Sequence, residues 1–379
     1  MMTSITRSDS ILVRFFLAIL LLATCSGRGR ASGVDDRRVA AVYVTNWTSN
    51  SVSRFELTAG GFLKLLEVVP APAGSANALG AALSRDKRSL YVAQWGSGSL
   101  SLFQVKRDGS LVAAANVSAA PPSPTDSAQV VISPDGRRAY LTNFNAGGAG
   151  TLSIYDLSRT PRAIATIPTG GEGAAGVAIS VDGRTLYVAH MTSGDVTAFR
   201  IRTDGSLTRL GSWIAGRGTF VVAVSPDSRR LWAANAISND IARFRILPGG
   251  RLSPDGPPTP VNGDGPRGIV VAPGGRVLYV ALYADGDGPG AVAAFRVGRS
   301  GALEPLQPPV LTGGNGAEAI GLTRDGRRLL VANFNKGEPE GSVTTFVIGR
   351  MGELSNRQGP FGTGGAEPDF GGLIIVPQR

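Results

Sequence analysis

Cysteine and histidine are almost absent from this chain of 379 residues, which has one of each. With Cys25 as the only thiol, no intramolecular disulfide can form. With His190 as the only imidazole, no multi-histidine zinc site can be built, and one cysteine cannot complete one. A Ser-His-Asp triad would have to use His190, and no Gly-x-Ser-x-Gly elbow lies near it. Long helices are missing too. Past the N-terminus no segment has the capped 3.6-residue periodicity of a helix, so no glycine-rich loop can open onto a helix to cradle phosphate. Acidic residues are fewer than basic ones, 28 against 38, which gives a net charge of +10 and a pI of about 10.3.

Only one long apolar run exists, Phe15 to Ala23, preceded by Arg7 and Arg14. It is too short to span a bilayer but suits a secretory signal, so residues 1–32 read as a signal peptide with cleavage near Ala31. Export is the expected localisation. Leu22-Ala23-Thr24-Cys25 loosely resembles a bacterial lipobox, so lipid anchoring at Cys25 is the alternative.

What is plentiful is glycine, 52 residues, with 24 prolines. These punctuate a repeat. Tyr43, Tyr91, Tyr140, Tyr187, Trp232, Tyr279 and Leu330 occupy equivalent places, spaced by 48, 49, 47, 45, 47 and 51 residues. A period in the forties, built from short apolar strands and tight turns, describes a β-propeller blade. In the fourth copy Gly176–Ser180 reads as inner strand A, Leu186–His190 as strand B, Asp195–Ile201 as strand C and Leu207–Trp213 as outer strand D. Asp182-Gly183 supplies the positive φ of the A–B turn, which recurs in Ser133-Pro134-Asp135-Gly136 and Arg324-Asp325-Gly326. Strand C carries an aromatic in every copy: Phe55, Phe103, Tyr155, Phe199, Phe244, Phe295 and Phe346. Such a stripe reads as core.

The two ends are complementary. The repeat begins with a strand B, Ala41–Thr45, and finishes with a strand A, Gly372–Pro377. Pairing them would close the ring and remove two exposed edges. The expected fold is an all-β, seven-bladed propeller of four-stranded blades over residues 33–379, its first blade completed by the C-terminal strand.

Tyr43-Val44-Thr45-Asn46 and its echoes (Tyr91-Val92-Ala93, Tyr187-Val188-Ala189, Val331-Ala332-Asn333) resemble the repeat of the YVTN propeller family. The wider pattern, Ser-Pro-Asp-Gly, Leu-Tyr-Val, then Val-x-x-Phe-x-Ile-x-x-Asp-Gly-x-Leu, resembles the lactonase-like seven-bladed propellers, which include the 6-phosphogluconolactonase type. The resemblance covers roughly residues 39–377. It implies a site of histidine, arginine and glutamate around the channel mouth. Gly265-Pro266-Arg267 is similar to the family's Gly-Pro-Arg-His stretch, but Gly268 stands where the histidine would be. The family's Asn-Glu after strand B is missing as well.

Two faces are distinguishable in such a meander. The A–B and C–D turns share one face and carry most of the excess charge, including Arg88, Arg137, Arg184, Arg229, Arg276 and Arg327. This basic ring suits an anionic surface such as lipid or a cell-surface polymer, or it simply keeps the turns soluble. Nucleic acid is not expected, because the basic residues are not interleaved with aromatics. The chain is expected to be a monomer.

The other face is where a propeller's ligand binds. After strand B come Asn46, Gln94, Asn143, His190, Asn235, Leu282 and Asn333. Asparagine is the repeat's default there, satisfying loop backbone, and His190 is either its replacement or a general base. The corresponding channel-mouth positions are Leu79, Ala128, Ala175, Phe220, Arg267, Glu318 and Gly371, and only two are charged. Arg267 could hold a carboxylate or polarise a lactone carbonyl, and Glu318 could act as base or orient water. The alternative is a structural ion pair between blades. Asn77, Asp126, Glu172 and Asp369 lie slightly upstream in the same loops, and Trp47, Trp95, Phe144, Tyr283 and Phe334 could form an aromatic collar for a sugar or planar ligand.

The candidate catalytic set is therefore Arg267, Glu318 and His190, and the candidate binding set is Trp47, Gln94, Trp95, Asn143, Glu172, Asn235, Asn333 and Asp369. No cofactor is expected beyond calcium at Asp285 and Asp287, whose loop lacks an EF-hand's ligand count. Asn46-Trp47-Thr48 and Asn116-Val117-Ser118 match the glycosylation sequon. Two functions stay open: lactone hydrolysis at the mouth, or a binding or surface scaffold without catalysis.

Overall fold

The computed structural model describes residues 37–284 and 288–377. The expected signal segment with Cys25 and the calcium candidates Asp285 and Asp287 lie outside the described residues. Seven antiparallel sheets form seven blades. Their inner strands are Ala78–Leu83, Ser127–Ile132, Ala174–Ile179, Thr219–Val224, Pro266–Val271, Ala317–Leu322 and Pro368–Pro377. Each inner strand touches those of its two neighbours, so the set surrounds one axis.

Ring closure is as the sequence implied. The C-terminal strand Pro368–Pro377 pairs with Arg38–Asn46, and the first sheet continues through Ser51–Thr58 to Leu63–Pro70. Its side chains alternate as a strand's must. Leu373 and Ile375 pack on Ala319, Leu330 and Ala332 of blade seven, while Ile374 and Val376 pack beside Tyr43, Ala81 and Leu83 towards blade two. The blade-four boundaries fall within two residues of expectation: Ala174–Ile179, Thr185–His190, Asp195–Ile201 and Leu207–Ile214.

Blades five and six depart from the expected single outer strand. There strand D is split into Leu252–Pro254 plus Thr259–Pro260, and Leu303–Pro305 plus Val310–Asn315. The interrupting segments contain Pro257, Pro258, Pro308 and Pro309. Proline cannot donate to a ladder and is tolerated only at a sheet edge, which is where it lies here.

Blades adhere through the strand-B tyrosine, and this explains its recurrence. The hydroxyl of Tyr43 donates to Gly109 O at 2.6 Å, Tyr140 to Gly205 O at 3.0 Å, Tyr187 to Gly250 O at 3.1 Å and Tyr279 to Gly352 O at 2.8 Å. Each acceptor is in the C–D turn of the next blade. Burial raises these phenols, Tyr43 and Tyr140 to about 12. The strand-C aromatics are all at most 2% exposed, as a core stripe requires.

The A–B turns are held by their own side chains. In blade four the Ser180 hydroxyl donates to Asp182 Oδ1 at 2.6 Å, which also accepts from Arg184 N–H at 3.1 Å. Equivalent serine hydroxyls lower the carboxyls of Asp86 and Asp135 below the ordinary range. Inner strands come very close between some blades. A Cβ on Gly80, Gly176 or Gly268 would lie 2.6, 2.7 or 2.5 Å from the neighbouring inner strand's carbonyl oxygen, so only glycine fits.

Candidate functional site

The mouth is organised by seven repeats of one backbone hydrogen bond. The residue after strand B donates its N–H to a residue just before strand A of the same blade. The donors are Trp47, Trp95, Phe144, Met191, Ala236, Tyr283 and Phe334, and the acceptors are Glu367, Asn77, Asp126, Gly173, Gly218, Gly265 and Gly316, at 2.8–3.0 Å. Every acceptor has φ between 55° and 72°. The positive φ turns the chain into strand A and fixes where the collar side chain projects.

The collar is therefore real on part of the rim. Trp47 and Phe334 have ring centroids 6.3 Å apart, Phe334 and Tyr283 meet edge to face at 5.8 Å, and Trp95 and Phe144 lie at 5.4 Å. Beneath it Leu79, Ala128, Ala175 and Phe220 form one apolar cluster with Trp47, Trp95 and Met191 packed against it. Four of the channel-mouth positions thus form an apolar plug.

Arg267 and Glu318 interrupt that plug. Arg267 Nη1 donates to Glu318 Oε1 at 2.9 Å, joining blades six and seven. The Arg267 Cζ sits 3.6 Å from the Tyr283 ring centroid and 5.1 Å from that of Phe220. Glu318 is fully buried, whereas about a quarter of the Arg267 side chain, 26%, is exposed. One carboxylate and two aromatic faces thus fix the guanidinium of a side chain that stays partly exposed.

The remaining candidates are not brought to this pair. Asn46, Gln94, Asn143, His190, Asn235 and Asn333 are all fully buried inside their own blades. Asn143 Nδ2 donates to Thr151 and Ser153, Asn333 Nδ2 to Ser342 and Thr344, and Asn235 Nδ2 to Asp240. These amides tie the end of strand B to strand C. His190 lies in blade four, its Nε2 2.8 Å from Thr169 Oγ1 and its Nδ1 3.5 Å from Asp195. Its ring is covered by Gly171, where a Cβ would come within 2.6 Å. Burial lowers its pKa, partly offset by Asp195.

Gln94 breaks the asparagine pattern for a visible reason. The Ser99 and Ser101 hydroxyls, which an asparagine there would meet, donate instead to Asn116 Oδ1 at 2.8 and 3.2 Å. Asn46 is fully buried, whereas Asn116 is partly exposed and its Nδ2 donates to Gly74 O at 2.8 Å. Glu172 is exposed at the rim. Asp369 belongs to the closing strand, and its side chain lies outside the described residues. Among the described residues no three metal-ligating side chains converge.

A second feature was missed by searching for polar departures alone. Phe144, Met191, Ile214, Arg217 and Ile237 line a rim cavity of about 520 Å³ over blades three to five. Reading the collar position blade by blade would have found Met191, but Arg217 and Ile237 gather there only through loop packing.

A family model described as "Lactonase, 7-bladed beta-propeller" matches residues 106–224. The chain is a seven-bladed propeller, and the matched segment is similar to the lactonase propellers. Solved structures carry the same architecture around the whole ring. The periplasmic gluconolactonase of Pseudomonas aeruginosa superposes with a TM-score of 0.73 at 17% identity, covering 89% of this chain and 99% of its own. A 6-phosphogluconolactonase candidate of Bacteroides uniformis gives 0.74 at 18%, covering 90% and 100%. A protein of unknown function from Desulfotomaculum acetoxidans gives 0.70 at 21%, covering 89% and 98%. At these identities the likeness establishes fold, not chemistry. No curated protein matches the chain. In this propeller, Gly268 has its own steric reason. A Cβ there would meet Glu318 O at 2.5 Å and Ile320 Cγ2 at 2.9 Å, so the family's histidine has no room.

Proposed function

We propose that this lactonase-like propeller binds a small molecule bearing a carboxylate or a lactone carbonyl at its channel mouth, with Arg267 as the anchor. The carrying observation is the clamp itself. Glu318 at 2.9 Å and the rings of Tyr283 and Phe220 hold the guanidinium, while a quarter of the Arg267 side chain is exposed. A preoriented guanidinium loses little freedom when it accepts an anionic or polarised oxygen. The collar of Tyr283, Phe334 and Trp47 beside it offers apolar faces suited to a sugar ring.

Hydrolysis is the finer reading. Arg267 would stabilise the oxyanion formed when water adds to the lactone carbonyl, and Glu318 or a bound water would handle the proton. The Pseudomonas aeruginosa protein of the same fold is a gluconolactonase, which supports a sugar-lactone class. Against turnover stand Glu318, fully buried and engaged by Arg267, and His190, enclosed in another blade. Binding without catalysis is therefore the second reading. The apolar run Phe15 to Ala23 supports export in either case.

The test is a panel of aldonolactones and their aldonic acids, followed by calorimetry and by acid release. The chain is compared with Arg267→Lys and with the double variant Arg267→Met/Glu318→Leu, which avoids stranding a buried charge. The expected result is saturable binding of at least one panel member, weakened about tenfold or more in both variants, the size of one charge-assisted contact. Acid release above the buffer rate that disappears with Arg267 assigns hydrolysis, and binding without release assigns the scaffold. Equal affinity in all three proteins overturns the proposal.

A further inference from the structure

The face opposite the mouth carries a ring with a regularity that solubility alone does not require. Arg37, Arg88, Arg137, Arg184, Arg229, Arg276 and Arg327 occupy one structural position in seven successive blades. Each carbonyl accepts the N–H that closes strand C at 2.8 or 2.9 Å, and each residue is exposed. Because the anchor is identical in every blade, the seven arginines share one plane around the axis.

Their sequence neighbours behave differently. Arg138 and Arg230 reach the C–D turn of the next blade, donating to Asp204 O at 3.1 Å and to Arg299 O at 2.6 Å, and Arg328 donates to Ala59 O. One arginine in each of these turns joins blades, and the adjacent one faces solvent. The turn aspartates Asp135, Asp182 and Asp325 each use Oδ1 to accept a serine or threonine hydroxyl and a backbone N–H. Three arginine-lined clefts of about 1020, 900 and 1060 Å³ open between blades on this face. Exposed apolar tips stand among the charges: Val181 is 63% exposed, Met351 62% and Leu247 42%. The opposite face carries Glu172, Glu338 and Glu340, all exposed.

We infer that the arginine face docks flat on an anionic phospholipid bilayer, leaving the mouth turned away from the membrane. A planar ring matches a planar charged surface, whereas a single polyanionic strand would engage only a few turns at a time. The apolar tips enter the headgroup region, where a soluble polyanion offers them nothing. The acidic opposite face sets the orientation.

The test is co-sedimentation of the full chain with vesicles of neutral phosphatidylcholine, with and without about 30% phosphatidylglycerol. The variants are Arg137→Gln/Arg184→Gln/Arg229→Gln and Val181→Ser/Met351→Ser, both away from the blade-joining arginines. Every protein keeps the same N-terminal segment, so differences report on this face. Binding to the anionic vesicles is expected to fall about fivefold for each arginine removed, roughly a hundredfold for the triple variant, and to fade as salt shortens the Debye length. The serine variant weakens vesicle binding and leaves heparin retention unchanged. Heparin retention without vesicle binding assigns the face to a soluble polyanion instead and overturns the inference. So does equal partition to neutral vesicles, or a triple variant with native melting that binds as well as the parent.

Discussion

Removing the last strand tests ring closure directly. A chain ending at Gly371 loses Leu373, Ile374, Ile375 and Val376, which pack alternately on blade seven and towards blade two. Leu373 is buried and the other three are partly buried. Full burial of such a side chain stabilises by about 1.5–3 kcal/mol, so partial burial contributes about 1 kcal/mol each, about 4 kcal/mol together. The ladder from Val44–Leu373 to Ala40–Pro377 is also lost. Its hydrogen bonds, at about 1 kcal/mol each, are offset by the 1–2 kcal/mol per residue of backbone ordering that truncation releases. The net loss of about 4 kcal/mol is a large share of the ~5–15 kcal/mol typical of a folded protein. With an unfolding entropy of about 2 cal/mol/K per residue over roughly 340 residues, it lowers Tm by about 6 °C. Calorimetric melting of the two chains measures it, and a synthetic peptide spanning residues 366–379 should restore part of the loss. A truncated chain melting within about 1 °C of the parent would refute closure as a source of stability.

Tyr187→Phe removes the donor to Gly250 O and is expected to cost about 1 kcal/mol in urea titration. Burial raises Tyr43 and Tyr140 from 10.0 to about 12, so their contribution is complete below pH 10 and lost as pH rises through 12. Phenolate absorbance from them should therefore be delayed to about pH 12 while the chain stays folded, and appear earlier only where it unfolds. His190 is lowered from 6.5 chiefly by burial, with Asp195 opposing and Arg209 adding to the shift, so its contribution is present above pH 6.5 and lost as pH falls. His190→Asn, the repeat's own default, should flatten that acid slope, and an unchanged slope in denaturant midpoints would count against it. Gly268→Ala places a Cβ 2.5 Å from Glu318 O and is expected to cost about 1–3 kcal/mol, read from the denaturation midpoint. Arg267→Met strands the buried Glu318 carboxylate and should cost about 3–5 kcal/mol, most of it recovered in Arg267→Met/Glu318→Leu.

Much of the fold was legible because its determinants are local. Ser180 and Asp182 make their turn within a few residues, and the aromatic at Phe199 belongs to an alternation that needs no distant partner to be seen. The site was legible only in part. Arg267 and Glu318 stood out as the two charged residues at their repeat position, and they do meet. That Tyr283 and Phe220 would hold the guanidinium was not readable, because the three come from the rims of two blades. Nor was it readable that Asn143 and Asn333 spend their amides on strand-C hydroxyls rather than on a ligand.

By itself the sequence determined the number of blades, the turn chemistry, the core stripe and the complementary ends, all encoded in spacing and alternation. Tertiary structure alone decided which of two adjacent arginines, such as Arg137 and Arg138, joins blades and which faces solvent. Side chains alternate in direction along a strand, and the acceptor for Arg138 arrives from the next blade at Asp204. A partner that distant in sequence leaves no mark on the residues beside it. The same physics placed His190 beneath Gly171 and left Arg267 at the mouth.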